Sequence, residues 1–263
     1  MSDVLRVERD GAVARVTLAR PEVRNAFNAE LIAELAWTFE AFAEEPVEGL
    51  RAVVLAGDGE VFCAGADIEW QRASIGLSME ENEADAGRLQ EMLAAVDECP
   101  VPVIAAVHGA ALGGGMALCC VADMTIATSE AIFGFTEVKL GLIPAVISPF
   151  VLPRIGEGAA RGLFMTGERF GSERAERIGL VTETVPDREA LGARVDALLA
   201  ELRSAGPEAV RNAKAVIRDQ RGLRRSEALD LTVKRAARQR VSAEGQEGLT
   251  AFLDKRNASW RED

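Results

Sequence analysis

Three consecutive glycines, Gly113, Gly114 and Gly115, constrain this chain more than any other feature of its sequence. They follow an apolar segment, Val103–Val107, that predicts a buried strand, and they precede an apolar run that predicts a helix. Glycine permits backbone conformations and close approaches that a Cβ atom forbids. The first turn of a helix also presents N–H groups that have no partner within the helix. Close packing of the helix on the strand would explain the triplet about as well as a ligand held by the backbone.

A second segment, Phe62–Asp67, also keeps the main chain bare, with small residues that follow a short strand predicted over Leu50–Ala56. One N–H group from each segment, directed at one oxygen atom, would form an oxyanion hole. Loss of one donor from such a hole costs about 3–4 kcal/mol in barrier height. The glycine triplet does not match a phosphate-binding loop, since no Lys-Ser/Thr pair follows it, and the chain has no G-x-G-x-x-G dinucleotide pattern.

Hydrophobic periodicity predicts a mixed α/β fold of strand-and-helix units, followed by helices. Asn28 is the predicted cap of a helix that reaches about Glu45. The chain after about Pro144 is predicted to be helical apart from one strand, with Pro186 and Pro207 as helix starts. The other predicted elements are a hairpin of Val4–Glu8 with Ala12–Ala19, a helix at Met79–Glu98, and strands at Asp123–Thr128, Ala131–Phe135 and Leu180–Val185. We place a core at residues 1–200 and a helical C-terminal region at residues 201–263.

Composition argues against nucleic acid or a membrane as the main partner. The net charge of −12 repels both nucleic acid and anionic lipid, and no apolar run approaches the roughly 20 residues that span a bilayer. The N-terminus has no apolar core of a signal peptide. Positive charge is concentrated between Arg203 and Arg240, with eleven Lys or Arg against four Asp or Glu. Solvated helix faces are the ordinary explanation, and a polyanionic ligand is the alternative.

The four cysteines have no metal-ligand spacing, so we expect no metal site. They resemble buried small apolar residues of a reducing compartment, which predicts a cytoplasmic location. His108 is the only histidine, and no serine or cysteine nucleophile motif accompanies it. We therefore expect His108 to be structural.

Five linked motifs carry a family resemblance that covers about residues 10 to 260. They are RPEVRNAFN (Arg20–Asn28), FCAGADI (Phe62–Ile68), HGAALGGGMAL (His108–Leu118), FGFTEVKLGLIP (Phe133–Pro144) and EGLTAFLDKR (Glu247–Arg256). In order and spacing these motifs resemble the enoyl-CoA hydratase/isomerase (crotonase) family. The resemblance implies an α/β, crotonase-like spiral of ββα units with a C-terminal helical trimerisation region, assembled as a homotrimer or homohexamer.

The resemblance also implies a substrate and its site. The substrate is an acyl-CoA thioester, and coenzyme A is part of it, so no separate cofactor is expected. The thioester carbonyl would lie between the N–H groups of Ala66 and Gly114, with Glu137 as the catalytic carboxylate. A structural role for Glu137, as a cap or an ion-pair partner, is the alternative. The remaining substrate-binding residues would be Arg24, Ala26, Ala64, Asp67, Ile68 and Trp70, with Phe252 and Lys255 reaching the CoA of a neighbouring subunit. Trp70 in simple packing is equally compatible with the sequence.

One position departs from the two-carboxylate hydratases, which have a second glutamate where this chain has Ala117. Glu137 alone could support hydration, could move a proton between carbons as in the isomerases, or the chain could have lost both activities. The segments Ala64–Asn82 and Leu140–Gly156 resemble the bacterial methylglutaconyl-CoA hydratase-like branch. This puts hydration first, with a branched or carboxylated acyl group and a place in fatty acid or branched-chain amino acid degradation. Ala145 stands where dienoyl-CoA isomerases need an aspartate.

Two further interpretations complete the sequence-based account. RNA binding through the basic helices is a candidate function of another class, but no aromatic residues interleave with the arginines for base stacking. Val146, Ile147 and Phe150 begin a predicted helix, and we assign them to the core rather than to a pocket wall.

Overall fold

The computed structural model describes residues 3–261, so the two residues at each end lie outside the described part. Its strands are β1 (Leu5–Asp10), β2 (Val13–Leu18), β3 (Ala52–Gly57), β4 (Val103–Val107), β5 (Ala110–Leu112), β6 (Met124–Thr128), β7 (Ile132–Gly134), β8 (Arg169–Gly171) and β9 (Glu183–Val185). Its α-helices are α1 (Ala29–Ala43), α2 (Ile68–Ser74), α3 (Met79–Glu98), α4 (Gly114–Val121), α5 (Ser148–Thr166), α6 (Ser172–Arg177), α7 (Arg188–Ser204), α8 (Pro207–Asp219), α9 (Arg225–Val241) and α10 (Ala243–Leu253).

The main sheet has the strand order β1-β2-β3-β4-β6-β9. β1 and β2 form the predicted antiparallel hairpin, in which Asp10 pairs with Val13 around a two-residue turn. The other neighbouring strands of this sheet pair in parallel. β5, β7 and β8 form a second, three-stranded sheet. The predicted mixed α/β organisation is therefore confirmed.

Capping residues in the sequence determine where several long helices begin. The side chain of Asn28 accepts a hydrogen bond from the Leu31 N–H at 2.8 Å, so α1 begins where its cap predicts. Apolar residues of α1 at helical spacing are buried, as predicted. Ser78 and Glu81 form a capping box at the start of α3, which spans the predicted residues. α8 begins at Pro207, also as predicted.

Both faces of the main sheet are covered. One face packs against α1, α3 and α4 in the larger apolar core. The other face packs against the buried side of α7, formed by Leu191, Val195 and Leu199. Because both faces are covered, the parallel strands are apolar along nearly their whole length.

Several predicted bounds are wrong, for identifiable reasons. β8 interrupts the stretch that we predict as helical after Pro144, and β9 is shorter than the predicted strand. A three-residue strand is too short for any hydrophobic period to show in the sequence. α7 begins at Arg188 and not at Pro186, because Asp187 caps it by accepting from the Ala190 N–H at 2.9 Å.

The C-terminal helices are tied to the sheet, although few of their residues are fully buried. Lys214 of α8 donates to Asp123 Oδ2 at 2.7 Å and to the Val101 carbonyl at 3.0 Å. No residue of α8 or α9 is fully buried within the described chain. Within residues 3–261 no helix is both long enough and apolar enough to span a membrane. The boundary that we place at residue 200 stays a prediction.

Candidate active site

The bare segment Phe62–Asp67 runs alongside β5, which places it beside the glycine triplet. Phe62 N–H donates to the His108 carbonyl at 2.9 Å, and Cys63 N–H donates to the Ala110 carbonyl at 3.0 Å. The Cys63 carbonyl in turn accepts from the Leu112 N–H at 3.0 Å. The two segments that the sequence singles out are therefore neighbours in space.

The N–H group of Ala66 faces away from its neighbouring strand segment. Phe27 forms a parallel bridge with Ala66, in which Phe27 N–H donates to the Gly65 carbonyl at 2.7 Å and Asp67 N–H donates to the Phe27 carbonyl at 2.9 Å. In a parallel bridge these flanking groups point at the partner, so the N–H of the residue between them points to the opposite side. Ala66 also lines a cavity.

The second N–H group belongs to the first turn of α4, where Gly114 lines the same cavity. Gly113 caps this helix with φ 49° and ψ −118°, a conformation that a side chain would strain. A Cβ on Gly114 would lie 2.6 Å from Cε2 of Phe27, and one on Gly115 would lie 2.6 Å from the Cys63 carbonyl oxygen. Gly113 is therefore required by the conformation of the turn, and Gly114 and Gly115 are required by close contacts with neighbouring atoms.

The cavity has a volume of about 800 Å³, which suits the acyl part of a thioester. Besides the segment Phe62–Asp67 and the glycine triplet, its walls come from Phe27, α2, α3 and residues between 136 and 147. Among its lining residues in the described chain, Asp85 and Glu137 are the carboxylates, and none is a lysine or arginine.

Glu137 is the carboxylate nearest the glycine turn. It begins a 3-10 helix, Glu137–Leu140, that follows β7. A Cβ on Gly113 would lie 3.4 Å from its Oε1, and its Oε2 is buried without a hydrogen-bond partner in the described residues. Burial raises the pKa of Glu137, against a smaller lowering by its own backbone N–H. Within the described residues, the Glu137 side chain is therefore neither a helix cap nor an ion-pair partner.

The structure separates the predicted binding residues into two groups. Ala64, Ile68 and Trp70 line the cavity together with Ala66, Gly114 and Glu137. Arg24, Ala26 and Asp67 do not line it, although the Arg24 carbonyl accepts from the Ala64 N–H at 3.0 Å and so holds their loop against the bare segment. The contacts of Arg24, Ala26 and Asp67 with coenzyme A stay predictions.

Asp67 and the C-terminal pair have surroundings of their own. Asp67 is buried, caps α2 through the Glu69 N–H and pairs with Arg20 at 2.8 Å. Burial alone would raise its pKa, but these hydrogen bonds and the Arg20 charge hold the pKa of Asp67 below its ordinary value. Phe252 is 80% exposed, and Lys255 lies just beyond the end of α10, so neither reaches the cavity of its own chain.

Part of the cavity wall does not follow from the sequence patterns. Val146 and Ile147 line the cavity, so their assignment to the core alone is wrong; Ile147 is buried and does both. Asp85 on α3 is also a wall residue, and its Oδ1 accepts from the Trp70 Nε1–H at 3.4 Å. A polar residue on a helix that is polar over most of its first half gives no signal of a cavity, and no sequence pattern pairs Asp85 with Trp70.

Other polar and thiol groups are structural. His108 Nε2 lies 3.2 Å from the Gly59 carbonyl, and burial lowers the pKa of His108. Burial raises the pKa of Cys63 and of Cys120 to about 12, so both are held as neutral thiols. Within the described residues no cluster of His, Cys, Asp and Glu could hold a metal ion.

A second cavity of about 880 Å³ lies between the β1–β2 turn, α7 and the C-terminal segment. Arg51 crosses it and donates to the carbonyls of Leu202 at 3.1 Å and Trp260 at 3.3 Å. No residue of the five motifs that carry the resemblance lines this cavity. We interpret this second cavity as a gap in the packing between the core and the C-terminal segment.

A comparison with protein families decides the identity. The family model described as "Enoyl-CoA hydratase/isomerase" matches residues 8–263, nearly the whole chain. The chain belongs to the enoyl-CoA hydratase/isomerase family. The solved structure of AtuE from Pseudomonas aeruginosa is 36% identical, with a TM-score of 0.94 over 98% of this chain and 100% of that chain. The family and the crotonase-like fold implied by the motifs are therefore confirmed.

Two further relatives agree with this membership. The crystal structure of an enoyl-CoA hydratase from Shewanella pealeana is 37% identical and superimposes with a TM-score of 0.92, over 98% of this chain and 96% of that chain. The enoyl-CoA hydratase AKT6-1 of Alternaria alternata is 32% identical over 82% of this chain and 70% of that protein. Enoyl-CoA hydratase-type activity is the activity to which these relatives point.

Proposed function

We propose that this protein adds water to a 2-enoyl-CoA thioester. The observation that carries the proposal is the Glu137 carboxylate, whose Oε2 is buried without a hydrogen-bond partner in the described residues and which lines one cavity together with Ala66 and Gly114. The thioester carbonyl oxygen accepts hydrogen bonds from both N–H groups. These fixed donors stabilise the enolate oxygen more than the neutral carbonyl, and so they lower the barrier.

The reaction balances with Glu137 as the single proton carrier. The Glu137 carboxylate takes a proton from water while the water oxygen bonds to Cβ, and the double-bond electrons move through Cα to the carbonyl oxygen. The resulting enolate then re-forms the carbonyl as Cα takes the proton from Glu137. One water is added, and Glu137 returns to its ionised form. A pKa raised toward the working pH suits a group that both accepts and returns a proton.

We assign the coenzyme A part to the loop of Arg24 and Ala26 and to the segment from Ala64 to Ile68, which adjoin each other. Phe252 and Lys255 of a neighbouring subunit would complete this site in a homotrimer or homohexamer. Phe252 is exposed on the described chain, which supports a contact outside it. No separate cofactor takes part, since coenzyme A arrives with the substrate.

Enoyl-CoA isomerisation is the second candidate, and Ala117 favours it. Ala117 is fully buried in α4, so no second carboxylate stands at that position to share the proton transfers. A single base suffices to take a proton from one carbon and return it two carbons away through the same enolate. We prefer hydration to isomerisation because the segments Ala64–Asn82 and Leu140–Gly156 resemble the methylglutaconyl-CoA hydratase-like branch.

The same resemblance extends the proposal to a branched or carboxylated acyl group and to fatty acid or branched-chain amino acid degradation, and the cysteine content supports a cytoplasmic location. The free cysteines are compatible with a reducing compartment. Polar residues of α2 and α3, including Gln71 and Asn82, line the cavity together with its apolar residues.

The test is turnover of crotonyl-CoA, 3-methylglutaconyl-CoA and 3-hexenoyl-CoA by the wild type and Glu137→Gln, with products identified by mass. Glu130→Gln, a change at an exposed glutamate, is the control. We expect the wild type to add the mass of one water to an enoyl thioester, and Glu137→Gln to lose that activity. Conversion of 3-hexenoyl-CoA without a mass change, and no hydration, would make the protein an isomerase. No turnover of any of the three would refute both functions.

A further inference from the structure

Phe27 contacts both halves of the oxyanion hole, although it contributes no donor to it. Its main chain pairs with the residues on either side of Ala66, at 2.7 Å and 2.9 Å. Its ring lies against the other half, because a Cβ on Gly114 would sit 2.6 Å from Cε2 and 2.7 Å from Cδ2 of Phe27. Phe27 therefore contacts both segments whose N–H groups must converge on a single oxygen, and it also lines the cavity.

The surroundings of Phe27 hold it in place. The residue is 1% exposed and is among the largest fully buried side chains of the protein. On one side, Arg20 donates to the Ala26 carbonyl and pairs with Asp67 at 2.8 Å, which binds the Phe27 segment to the Ala66 segment. On the other side, the cap residue Asn28 begins α1. The ring cannot turn away from α4 without opening a cavity in the core.

We propose that Phe27 is a positioning residue that fixes the separation of the Ala66 and Gly114 N–H groups. The inference rests on the proposed function, since it gives that oxyanion hole its spacing. A smaller or more flexible side chain removes the surface against which the first turn of α4 packs. The Gly114 N–H can then shift relative to the Ala66 N–H, and a small misplacement of a donor weakens stabilisation of the enolate.

The experiment compares Phe27→Leu and Phe27→Met with Phe39→Leu. Phe39 is a fully buried phenylalanine of α1 that packs on Phe42 with ring centroids 5.5 Å apart and does not line the cavity. Phe39→Leu is therefore a matched loss of core volume away from the site. For the Phe27 variants we expect kcat to fall about 10- to 100-fold, less than the 10²- to 10³-fold loss of a whole donor. KM should change about threefold or less, as for loss of a transition-state interaction.

A spectroscopic measurement separates positioning from general destabilisation. The carbon-13 chemical shift of the thioester carbonyl of bound butyryl-CoA, which has no double bond to hydrate, reports polarisation by the two donors. We expect the shift from the free to the bound value to shrink in both Phe27 variants and to stay at the wild-type value in Phe39→Leu. The pH dependence of kcat should stay unchanged, because the surroundings of Glu137 are retained.

Two outcomes have distinct meanings. If the Phe27 variants match Phe39→Leu in kcat and in the carbonyl shift, Phe27 is core packing only and the inference is overturned. If the wild type hydrates no thioester, yet polarises the bound carbonyl and the Phe27 variants reduce that polarisation, the proposed function fails while the positioning role stands.

Discussion

At the scale of single residues, Glu137 combines burial with an unpartnered carboxylate oxygen, an arrangement that costs stability when the group ionises. The backbone N–H of Glu137 offsets only part of that cost, and Oε2 has no hydrogen-bond partner in the described residues. A substrate or water in the cavity would be the natural partner. The raised pKa thus links the chemistry of Glu137 to the stability of the fold.

This linkage predicts a pH-dependent effect of Glu137→Gln on stability. A carboxyl with a raised pKa in the folded state contributes stability below its unfolded pKa, near 4.5, and loses it as the pH rises through the folded pKa. Glutamine does not titrate. We therefore expect the free energy of unfolding of Glu137→Gln to rise relative to that of the wild type as the pH rises above 4.5. The difference should reach about 1.4 kcal/mol for each unit by which the pKa of Glu137 is raised.

Urea unfolding of both proteins between acid and neutral pH measures this difference. Glu130→Gln, at an exposed position, should show no comparable divergence. A Glu137→Gln protein that loses stability relative to the wild type as the pH rises would contradict the account of Glu137.

At the scale of secondary-structure elements, one ion pair fastens the C-terminal helices to the sheet. The side chain of Lys214 is 11% exposed, and its ammonium reaches both Asp123 and the Val101 carbonyl. Asp123 also accepts from the Val103 N–H at 2.7 Å, at the start of β4. The same carboxylate therefore orders β4 and α8.

Removal of the lysine charge should destabilise this junction. Lys214→Met leaves Asp123 partly buried with a single donor, so we expect a loss of about 1–3 kcal/mol, below the 3–5 kcal/mol of a fully buried pair because Asp123 is 29% exposed. Lys234→Met, an exposed change on α9, is the matched control and should cost about 0.5 kcal/mol or less. Equal unfolding midpoints for the two variants would show that the pair does not anchor α8.

The elements also show what the sequence could predict. α3 and β4 occur over the predicted residues because a capping box and a continuous apolar run are local signals. The sequence patterns do not predict β5 or α2, which are only a few residues long. β5 depends on its pairing with Cys63, and α2 depends on the Asp67 cap. Glu137 lines the same cavity as residues of the bare segment and of the glycine triplet. Contacts between distant segments, such as Phe27 on Gly114, leave no pattern in the sequence.

At the scale of the whole molecule, apolar surface remains uncovered at the C-terminal end. Leu229, Val233 and Val241 of α9 are each at least 57% exposed. Phe252 and Leu253 of α10 are at least 75% exposed. Exposed apolar surface of this kind is typical of protein–protein contacts. The trimerisation region implied by the motifs lies in the same part of the chain.

We therefore expect the protein to assemble through these helices. Sedimentation should give a mass near three or six times the 28.1 kDa of one chain. The double substitution Leu229→Asp with Val233→Asp should shift the mass toward that of a single chain, because it buries uncompensated charge at the contact. A wild-type protein that sediments as a monomer at micromolar concentration would contradict this assembly.

The measurement that tests the central claim most directly is kcat for crotonyl-CoA hydration in Glu137→Gln beside the Kd of butyryl-CoA. Removal of a general acid–base group should lower kcat about 10²- to 10⁴-fold. The Kd should stay near the wild-type value, because the N–H groups of Ala66 and Gly114 remain in place. A Glu137→Gln enzyme that hydrates crotonyl-CoA at the wild-type rate would contradict the assignment of Glu137 as the proton carrier.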